Sequence, residues 1–246
     1  VTGSSLATVL GVPLGTVIGN HVGWRVTFGV IGVIATIILI LLWRVLPSLK
    51  SQSSGNLNVL PTLLKRSALQ YIYLSLALVM TAHFTVSTYI SPYLQQIGGM
   101  SPNMVVFMLF VIGLAGILGG IVFARYANSY SVQLLLLSLV GLSLCLILLN
   151  SVVHHLWALI PLALIWGMVI TLISMVLQAK VLENASDAPD IAVAIFSGVF
   201  NIGIGGGALL GGQMIIQLGL ENIAYVAAAL ALVAIVGYFW KAHLLR

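Results

Sequence analysis

Long apolar stretches follow one another along almost the whole chain, each close to the length that a helix needs to cross a lipid bilayer. A membrane-spanning α-helix requires about 20 consecutive apolar residues. The pattern therefore predicts an all-α polytopic membrane protein with about eight transmembrane helices. We place these helices at residues 1–19, 25–46, 68–92, 102–124, 131–150, 156–179, 191–216 and 222–240.

Composition supports a membrane location and excludes a soluble fold. Only 5% of the 246 residues are charged and 61% are hydrophobic, whereas a soluble domain carries about 25% charged residues. A chain of this size could not bury so much apolar surface in water, so the lipid bilayer is its first predicted partner. The net charge of +5 does not indicate a nucleic-acid partner, because no basic patch with interleaved aromatic residues is present.

The basic residues are segregated between alternate connections of the eight stretches. One set of connections holds eight Lys and Arg residues, and the opposite set holds only Arg25. Cytoplasmic loops retain Lys and Arg during insertion. We therefore predict a multi-pass protein of the cytoplasmic membrane, with both termini of this sequence in the cytoplasm. The eight basic residues on the predicted inner side are Arg44, Lys50, Lys65, Arg66, Arg125, Lys180, Lys241 and Arg246.

A polar segment divides the stretches into two groups. Residues 47–66 form the only long polar stretch, and the charge pattern predicts that it is a cytoplasmic linker. It separates residues 1–46, with two helices, from residues 67–246, with six helices. The chain starts at Val1 directly in an apolar stretch with no charged lead-in. We therefore expect an N-terminal part of a longer protein to precede it.

The first stretch contains a repeated glycine pattern. Gly11, Gly15 and Gly19 share one helix face, which lets a second helix approach closely, and Pro13 permits a bend. A generic packing face would have the same glycine spacing. The longer pattern G-V-P-L-G-x-x-x-G-x-x-x-G-W-R resembles the antiporter motif in the fifth helix of the major facilitator superfamily, in particular of its proton-driven drug and sugar efflux branch. Val12, between glycine and proline, departs from the commonest form.

The resemblance implies a placement for the whole chain. Its eight stretches correspond to helices five to twelve, the C-terminal two-thirds of a twelve-helix fold. Residues 1–46 then contribute the last two helices of the N-terminal half, residues 47–66 the central cytoplasmic loop, and residues 67–246 the C-terminal half. The implied activity is secondary active transport in a bacterial inner membrane, with the two halves rocking around a site near the midplane.

A second motif lies at the end of the fourth stretch. Gly116 and Gly120 precede Arg125, which resembles the family's cytoplasmic loop motif between helices eight and nine. Ile121 and Ala124 stand where the family has a basic and an acidic residue. The motif here lacks the charges that a charge relay in gating needs, and Arg125 is interpreted as an anchor at the inner membrane surface.

One histidine lies deep in a predicted span. His83 is the only histidine or charged residue near the middle of any stretch, and Ser87 lies one helical turn away. An ionisable group at this depth is costly and indicates a functional role, and histidine can bind a proton near neutral pH. The alternative is a neutral histidine that is hydrogen-bonded between helices. The segment T-A-H-F-T also resembles helix seven of bacterial sugar efflux transporters.

Two further stretches carry polar stripes. Thr171, Ser174 and Gln178 follow each other at helical spacing in the sixth stretch, and Ser197 and Asn201 do so in the seventh. Such side chains face protein or a water-filled cavity, because lipid would leave them unsatisfied. Neutral hydroxyls and amides suit a hydroxyl-rich solute. The resemblance places these stripes on helices ten and eleven, which border the family's central cavity together with helix seven.

Acidic residues are absent from the predicted spans. Glu183, Asp187, Asp190 and Glu221 all fall in loops or at helix ends. A proton antiporter with this sequence therefore needs a membrane carboxylate upstream of residue 1, or it uses His83.

Function classes can be compared on these residues. The favoured function is export of sugars or similar solutes by proton antiport, and the alternative is multidrug efflux by the same mechanism. No phosphate-binding loop, zinc-ligand helix motif or nucleophile elbow indicates an enzyme, and nothing favours a channel or a non-transporting subunit. We expect no cofactor, no metal at His21, His154 and His155, and no obligatory protein partner. Trp166 and Tyr89 could stack on a sugar, but packing is the more frequent role.

Overall fold

Helices account for all regular structure in the part of the chain that is described. The computed structural model describes residues 11–46, 57–241 and 244. Predictions that fall on residues 1–10, 47–56, 242–243 and 245–246, which include most of the polar linker, lie outside these residues. The helices are α1 Val12–Val22, α2 Trp24–Val45, α3 Leu60–Lys65, α4 Ser67–Ser87, α5 Ile90–Gln96, α6 Pro102–Val152, α7 Leu156–Asn184, α8 Pro189–Leu218 and α9 Ile223–Lys241, with short 3-10 turns at Leu57–Val59 and Leu220–Asn222.

The all-α membrane architecture is confirmed, with one difference in how the spans are joined. Six helical segments are long and apolar enough to cross a membrane, namely α2, α4, α6, α7, α8 and the turn with α9. The helices predicted at 102–124 and 131–150 are both present within α6, where they meet at a kink at Tyr130, whose φ −135° and ψ 26° are not helical. The 51 residues of α6 are enough for two spans, since one span needs about 20 residues. The two spans follow each other at the kink without a separate loop, so the first helix continues beyond its predicted end at residue 124.

The third predicted helix is shorter than expected. We predicted one helix over residues 68–92 that ends at Ser91-Pro92, but α4 ends at Ser87 and α5 begins at Ile90. Tyr89 between them has φ −108° and ψ 14°. A proline ring clashes with the carbonyl four residues earlier, so Pro92 disrupts the helix at Thr88 and not at its own position.

The sixth predicted helix ends later than expected. The prediction stopped at residue 179, but α7 continues to Asn184. Lys180 is buried and its ammonium lies 2.7 Å from the Glu183 carboxylate. This ion pair within the last turns explains why polar residues continue the helix beyond the apolar stretch. Proline then begins α8 at residue 189, where its missing N–H costs nothing.

Glycines bring α4 and α8 into backbone contact. A methyl group added at Gly207 would lie 2.7 Å from the Phe84 Cβ, and one added at Gly203 would lie 2.4 Å from the Met80 Cβ. A methyl group added at Gly211 would lie 2.6 Å from the Thr85 carbonyl oxygen of α4, which continues the same line of contact. In a bilayer, lipid tails are as apolar as the protein, so close van der Waals contact stabilises helix pairs where burial does not.

A second close pair is formed by α6 and α7. A methyl group at Gly167 would lie 2.2 Å from the Ile112 carbonyl oxygen, and one at Gly119 would lie 2.6 Å from the Met168 carbonyl oxygen. The first part of α6 is therefore packed directly on the backbone of α7. We refer to α4–α8 and α6–α7 as the two glycine pairs.

The glycine pairs are linked at one end of the molecule by Arg66. Its guanidinium donates to both carboxylate oxygens of Asp187 at 2.7 Å and to the Asn184 carbonyl at 2.8 Å. Lys65 and Lys180 belong to the same end, which we call the cationic end. The start of α4 and the α7–α8 connection therefore lie on one side, as the charge pattern predicts.

A neutral network links the pairs at the opposite end. The Tyr93 hydroxyl donates to the Asn150 side-chain oxygen, and the Asn150 amide donates to the Glu221 carbonyl at 2.6 Å. The connections after α5, α6 and α8 therefore lie together, which agrees with the predicted alternation. Which end faces the cytoplasm stays a prediction.

The two helices of residues 11–46 differ in their contacts, because α1 contacts both α2 and α6, whereas α2 has few contacts beyond α1. Gly15 and Gly19 of α1 face Thr27 of α2, where added methyl groups would lie 3.7 and 3.6 Å from the threonine side chain. Gly11 has no neighbour within 4 Å of an added methyl group among the described residues, and Pro13 lies in the first turn of α1. No residue of α2 is buried within the described structure. The predicted division of the chain at residues 47–66 stays a prediction.

Candidate functional site

A cavity opens between the two glycine pairs. Its volume is about 870 Å³, and residues of α4, α5, α6, α7 and α8 line it. Here the facing surfaces of the pairs carry large side chains, such as Phe84, Trp166 and Phe200, as well as glycines. The polar or small lining residues are His83, Ser87, Thr88 and Ser91 from the α4–α5 segment, Gly113 and Gly116 from α6, and Gly167, Thr171, Ser174 and Gln178 from α7.

Five of the seven predicted substrate or proton residues line this cavity. His83 and Ser87 of α4 face Thr171, Ser174 and Gln178 of α7. Spacings of three and four residues place side chains on the same face of a helix, which is why both stripes were visible in the sequence. That the two stripes face each other depends on the packing of α4 and α7.

The other two predicted residues lie elsewhere. Ser197 and Asn201 are exposed on α8, and the Asn201 amide donates to the Ser197 carbonyl at 2.8 Å. The cavity wall on α8 consists of Phe200 and Ile204 instead. One residue of offset rotates a helical position by 100°, so the polar stripe of α8 points away from the cavity. A role for Ser197 and Asn201 stays a prediction.

Sequence analysis did not assign several residues to the cavity wall. Thr88 and Ser91 line it at the break between α4 and α5, which the uninterrupted helix predicted over residues 68–92 did not reveal. Pro92 was the available signal, because its effect extends back to Thr88. Gly116, assigned to the loop motif, lies in the wall as well, where an added methyl group would be 3.1 Å from the Thr171 hydroxyl.

The cavity offers unpaired hydrogen-bonding capacity without formal charge. Thr171 donates its hydroxyl proton to the Gly167 carbonyl at 3.0 Å, which leaves its oxygen free to accept. For Ser87, Ser174 and Gln178, the described structure records no protein hydrogen bond, so their groups can both donate and accept. No Asp, Glu, Lys or Arg side chain among the described residues lines the cavity. The site is therefore suited to a neutral polar solute.

His83 is hydrogen-bonded to a tryptophan of the facing helix. The Trp166 indole N–H donates to the His83 Nδ1 at 3.1 Å, and the two rings meet edge to face with centroids 5.6 Å apart. Trp166 is only 2% exposed. We expected stacking or packing for this residue, and the hydrogen bond adds a polar role. The other four tryptophans are exposed near helix ends: Trp24, Trp43, Trp157 and Trp240. Tryptophan is enriched at such positions because its ring is favoured at the membrane–water interface.

The loop motif shows no charge relay in the described structure. Arg125 is exposed, and its guanidinium lies 5.8 Å from the ring of its neighbour Tyr126. No carboxylate within the described residues pairs with it. This arrangement is compatible with an anchor at the membrane surface.

Known proteins that resemble the chain are membrane transporters. Residues 1–189 match the family model described as Major Facilitator Superfamily. A Mannheimia succiniciproducens protein named probable sugar efflux transporter is 46% identical over 236 residues, which cover 96% of this chain and 59% of that protein. A Helicobacter pylori protein of the same name is 46% identical over 239 residues, which cover 97% of this chain and 60% of that protein.

The chain spans about three-fifths of the length of these relatives. Since the family model matches well over half of the chain, and the chain folds into apolar helices that can cross a membrane, this chain belongs to the major facilitator superfamily of membrane transporters.

Proposed function

We propose that the whole protein exports sugars or similar small polar solutes across a bacterial cytoplasmic membrane. The observation that carries this proposal is the cavity of about 870 Å³ lined by neutral hydrogen-bonding groups. Ligand sites for small molecules have volumes of about 300–1,000 Å³. The cavity therefore has room for a sugar and the groups to bind one.

The chemistry of the lining favours a sugar over a charged solute. Each sugar hydroxyl donates one hydrogen bond and accepts others, which matches the free capacity of Ser87, Ser174 and Gln178. Phe84 and Phe200 complete the wall with apolar surface for the C–H face of a sugar ring. The names of the relatives from Mannheimia and Helicobacter, which refer to sugar efflux, support the same solute class.

The proposed mechanism is alternating access coupled to inward proton flow. The cavity lies between the two glycine pairs, which both belong to residues 67–246. In the whole protein this half would rock against the N-terminal half around a site near the midplane. His83 is the only titratable side chain that lines the cavity within the described residues. In this chain it is therefore the candidate proton-binding group, beside any membrane carboxylate in the whole protein.

Reconstitution of the whole protein tests the function. Liposomes with an acidic interior should accumulate radiolabelled pentoses or hexoses, since proton exit would drive solute entry. Collapse of the gradient with a protonophore should abolish the accumulation. If a cationic amphipathic dye is transported and no sugar is, the multidrug alternative replaces this proposal. If neither moves, antiport by this protein is rejected.

A matched pair of serine variants locates the site. Ser174 lines the cavity, whereas Ser143 is buried in α6 and donates to the Leu139 carbonyl. Loss of one neutral hydrogen bond to the solute should raise the KM of Ser174→Ala about two- to tenfold. Ser143→Ala should leave KM unchanged. Equal KM values for both variants would place solute binding outside this cavity.

A further inference from the structure

We propose that Trp166 is a positioning residue that makes His83 a hydrogen-bond donor to the transported solute through its Nε2–H. The proposal starts from the 3.1 Å hydrogen bond between the Trp166 indole nitrogen and the His83 Nδ1. It deepens the proposed function, on which it rests, by stating what the solute must present at this point of the cavity.

The hydrogen bond determines where the histidine proton is. An indole N–H can only donate, so Nδ1 of His83 must accept and carries no proton. A neutral imidazole has one proton, which therefore resides on Nε2. Because Nδ1 accepts a hydrogen bond from Trp166, Nε2 becomes a hydrogen-bond donor.

The same contact fixes the orientation of the ring. Trp166 itself is held by its burial in α7, and the Phe84 ring packs edge to face on His83 with centroids 4.8 Å apart. These two neighbours restrict rotation of the imidazole from both helices. A held ring loses less conformational freedom when a solute binds, which increases affinity.

The Nε2–H group is available to an occupant of the cavity. His83 lines the cavity, and the described structure records no protein acceptor for its Nε2. No charged side chain from α4, α5, α6, α7 or α8 lines the cavity within the described residues. A solute that displaces water from this N–H must offer an acceptor in its place, since a donor left without a partner is costly. A solute with an acceptor oxygen here is therefore favoured over one that offers only C–H groups.

The positioning role can be measured without any transport. Histidine labelled with ¹⁵N in the side chain, in the whole protein in nanodiscs, reports which ring nitrogen carries the proton. The His83 signal is assigned by its loss in His83→Gln. We expect a protonated Nε2 and an unprotonated Nδ1. A protonated Nδ1 in the neutral ring would overturn the proposal.

Solvent exchange of the Trp166 indole proton is an independent measurement of the same hydrogen bond. In His83→Phe the Trp166 indole N–H loses its acceptor, so its proton should exchange with solvent at least about tenfold faster, as expected for loss of a hydrogen bond of about 1.4 kcal/mol. The exposed Trp157 of the same helix is the internal control and should not change. An unaltered Trp166 signal would show that the two rings are not hydrogen-bonded.

Two substitutions of similar size then test the solute contact. The Gln side chain reaches the Nε2 position, whereas the shorter Asn reaches only the Nδ1 position. We expect His83→Gln to keep the KM for sugar within about threefold and His83→Asn to raise it about tenfold. Trp166→Phe should raise KM about two- to tenfold with little change in kcat. An Asn variant that equals or exceeds the Gln variant would overturn the proposal.

The outcomes also separate this proposal from the proposed function. If the wild-type protein transports no sugar, the proposed function fails and the role of the solute fails with it. The NMR measurements still decide the positioning of His83 by Trp166 in that case. If sugar is transported but the Gln and Asn variants rank in the opposite order, only the present proposal is wrong.

Discussion

Contacts within the two glycine pairs differ in kind from contacts between them. Within α4–α8 and α6–α7, backbone meets backbone at positions such as Gly207 and Gly167, where no side chain would fit. Between the pairs, the described structure records hydrogen bonds at three levels: Arg66 at the cationic end, His83 with Trp166 in the middle, and Asn150 at the opposite end.

The difference shows which interface is packed more tightly. At the glycine contacts within a pair, an added methyl group would overlap the neighbouring helix, so a larger residue there is destabilising. A side-chain hydrogen bond between the pairs contributes only about 0.5–1.5 kcal/mol. The interface between the pairs is therefore the more loosely packed one, and the cavity lies there.

The largest expected effect comes from breaking a backbone contact. Gly207→Ala places a methyl group 2.7 Å from the Phe84 Cβ and the Thr81 carbonyl oxygen. We expect a loss of about 1–3 kcal/mol in the free energy of unfolding, as for overpacked cores. Reversible unfolding in mixed micelles measures it.

Gly205→Ala is the matched control on the same helix. Nothing lies within 4 Å of a methyl group added there, so alanine should be neutral or stabilise the helix by up to about 1 kcal/mol. Equal losses for both variants would show that α4 and α8 are not in backbone contact.

The hydrogen bond between His83 and Trp166, in the middle of the interface between the pairs, should affect transport more than stability. His83→Ala removes the acceptor of Trp166 and the titratable group of the cavity. We expect the transport rate to fall at least about tenfold, corresponding to about 1.4 kcal/mol, measured in liposomes between pH 5.5 and 8. His155→Ala, an exposed histidine at the opposite end, should transport normally. Unchanged rates for His83→Ala at every pH would remove His83 from the mechanism.

The ion pair between Arg66 and Asp187 at the cationic end should have the smallest effect on stability. Arg66 and Asp187 are partly exposed, and exposed ion pairs are weak. Arg66→Gln should lower Tm slightly at pH 7, whereas Lys65→Gln, for which the described structure records no ion pair, should not. A large loss of Tm for Arg66→Gln would mean that the pairs are locked together at this end.

Low pH should weaken the ion pair between Arg66 and Asp187, because the Asp187 carboxylate becomes protonated. The hydrogen bonds from Arg66 lower the pKa of the Asp187 carboxyl below its ordinary value of 3.8. A lowered pKa in the folded state contributes stability above pH 3.8 that is lost as the pH falls through the lowered pKa. The difference in Tm between wild type and Arg66→Gln should therefore narrow below about pH 4. A difference that stays constant to pH 2 would exclude a contribution from the Asp187 charge.

Much of this architecture follows from local chemistry and could be predicted. The spans follow from apolar length, and the stripes of His83 with Ser87 and of Thr171 with Ser174 follow from helical periodicity. The break before Ile90 was misplaced because a proline acts on a carbonyl four residues away. The two spans within α6 were predicted, but the sequence did not show that they meet at a kink at Tyr130 without a loop between them.

The amino-acid sequence by itself determined that the chain crosses a membrane, which connections share a side, and which polar residues share a helix face. These properties depend on neighbours along the chain. Only the tertiary structure decided that the faces of α4 and α7 enclose one cavity, that Asn201 lies outside it, and that Trp166 binds His83. Such contacts join residues more than 80 positions apart, and they depend on crossing angles and helix rotations that glycine contacts elsewhere in the fold impose.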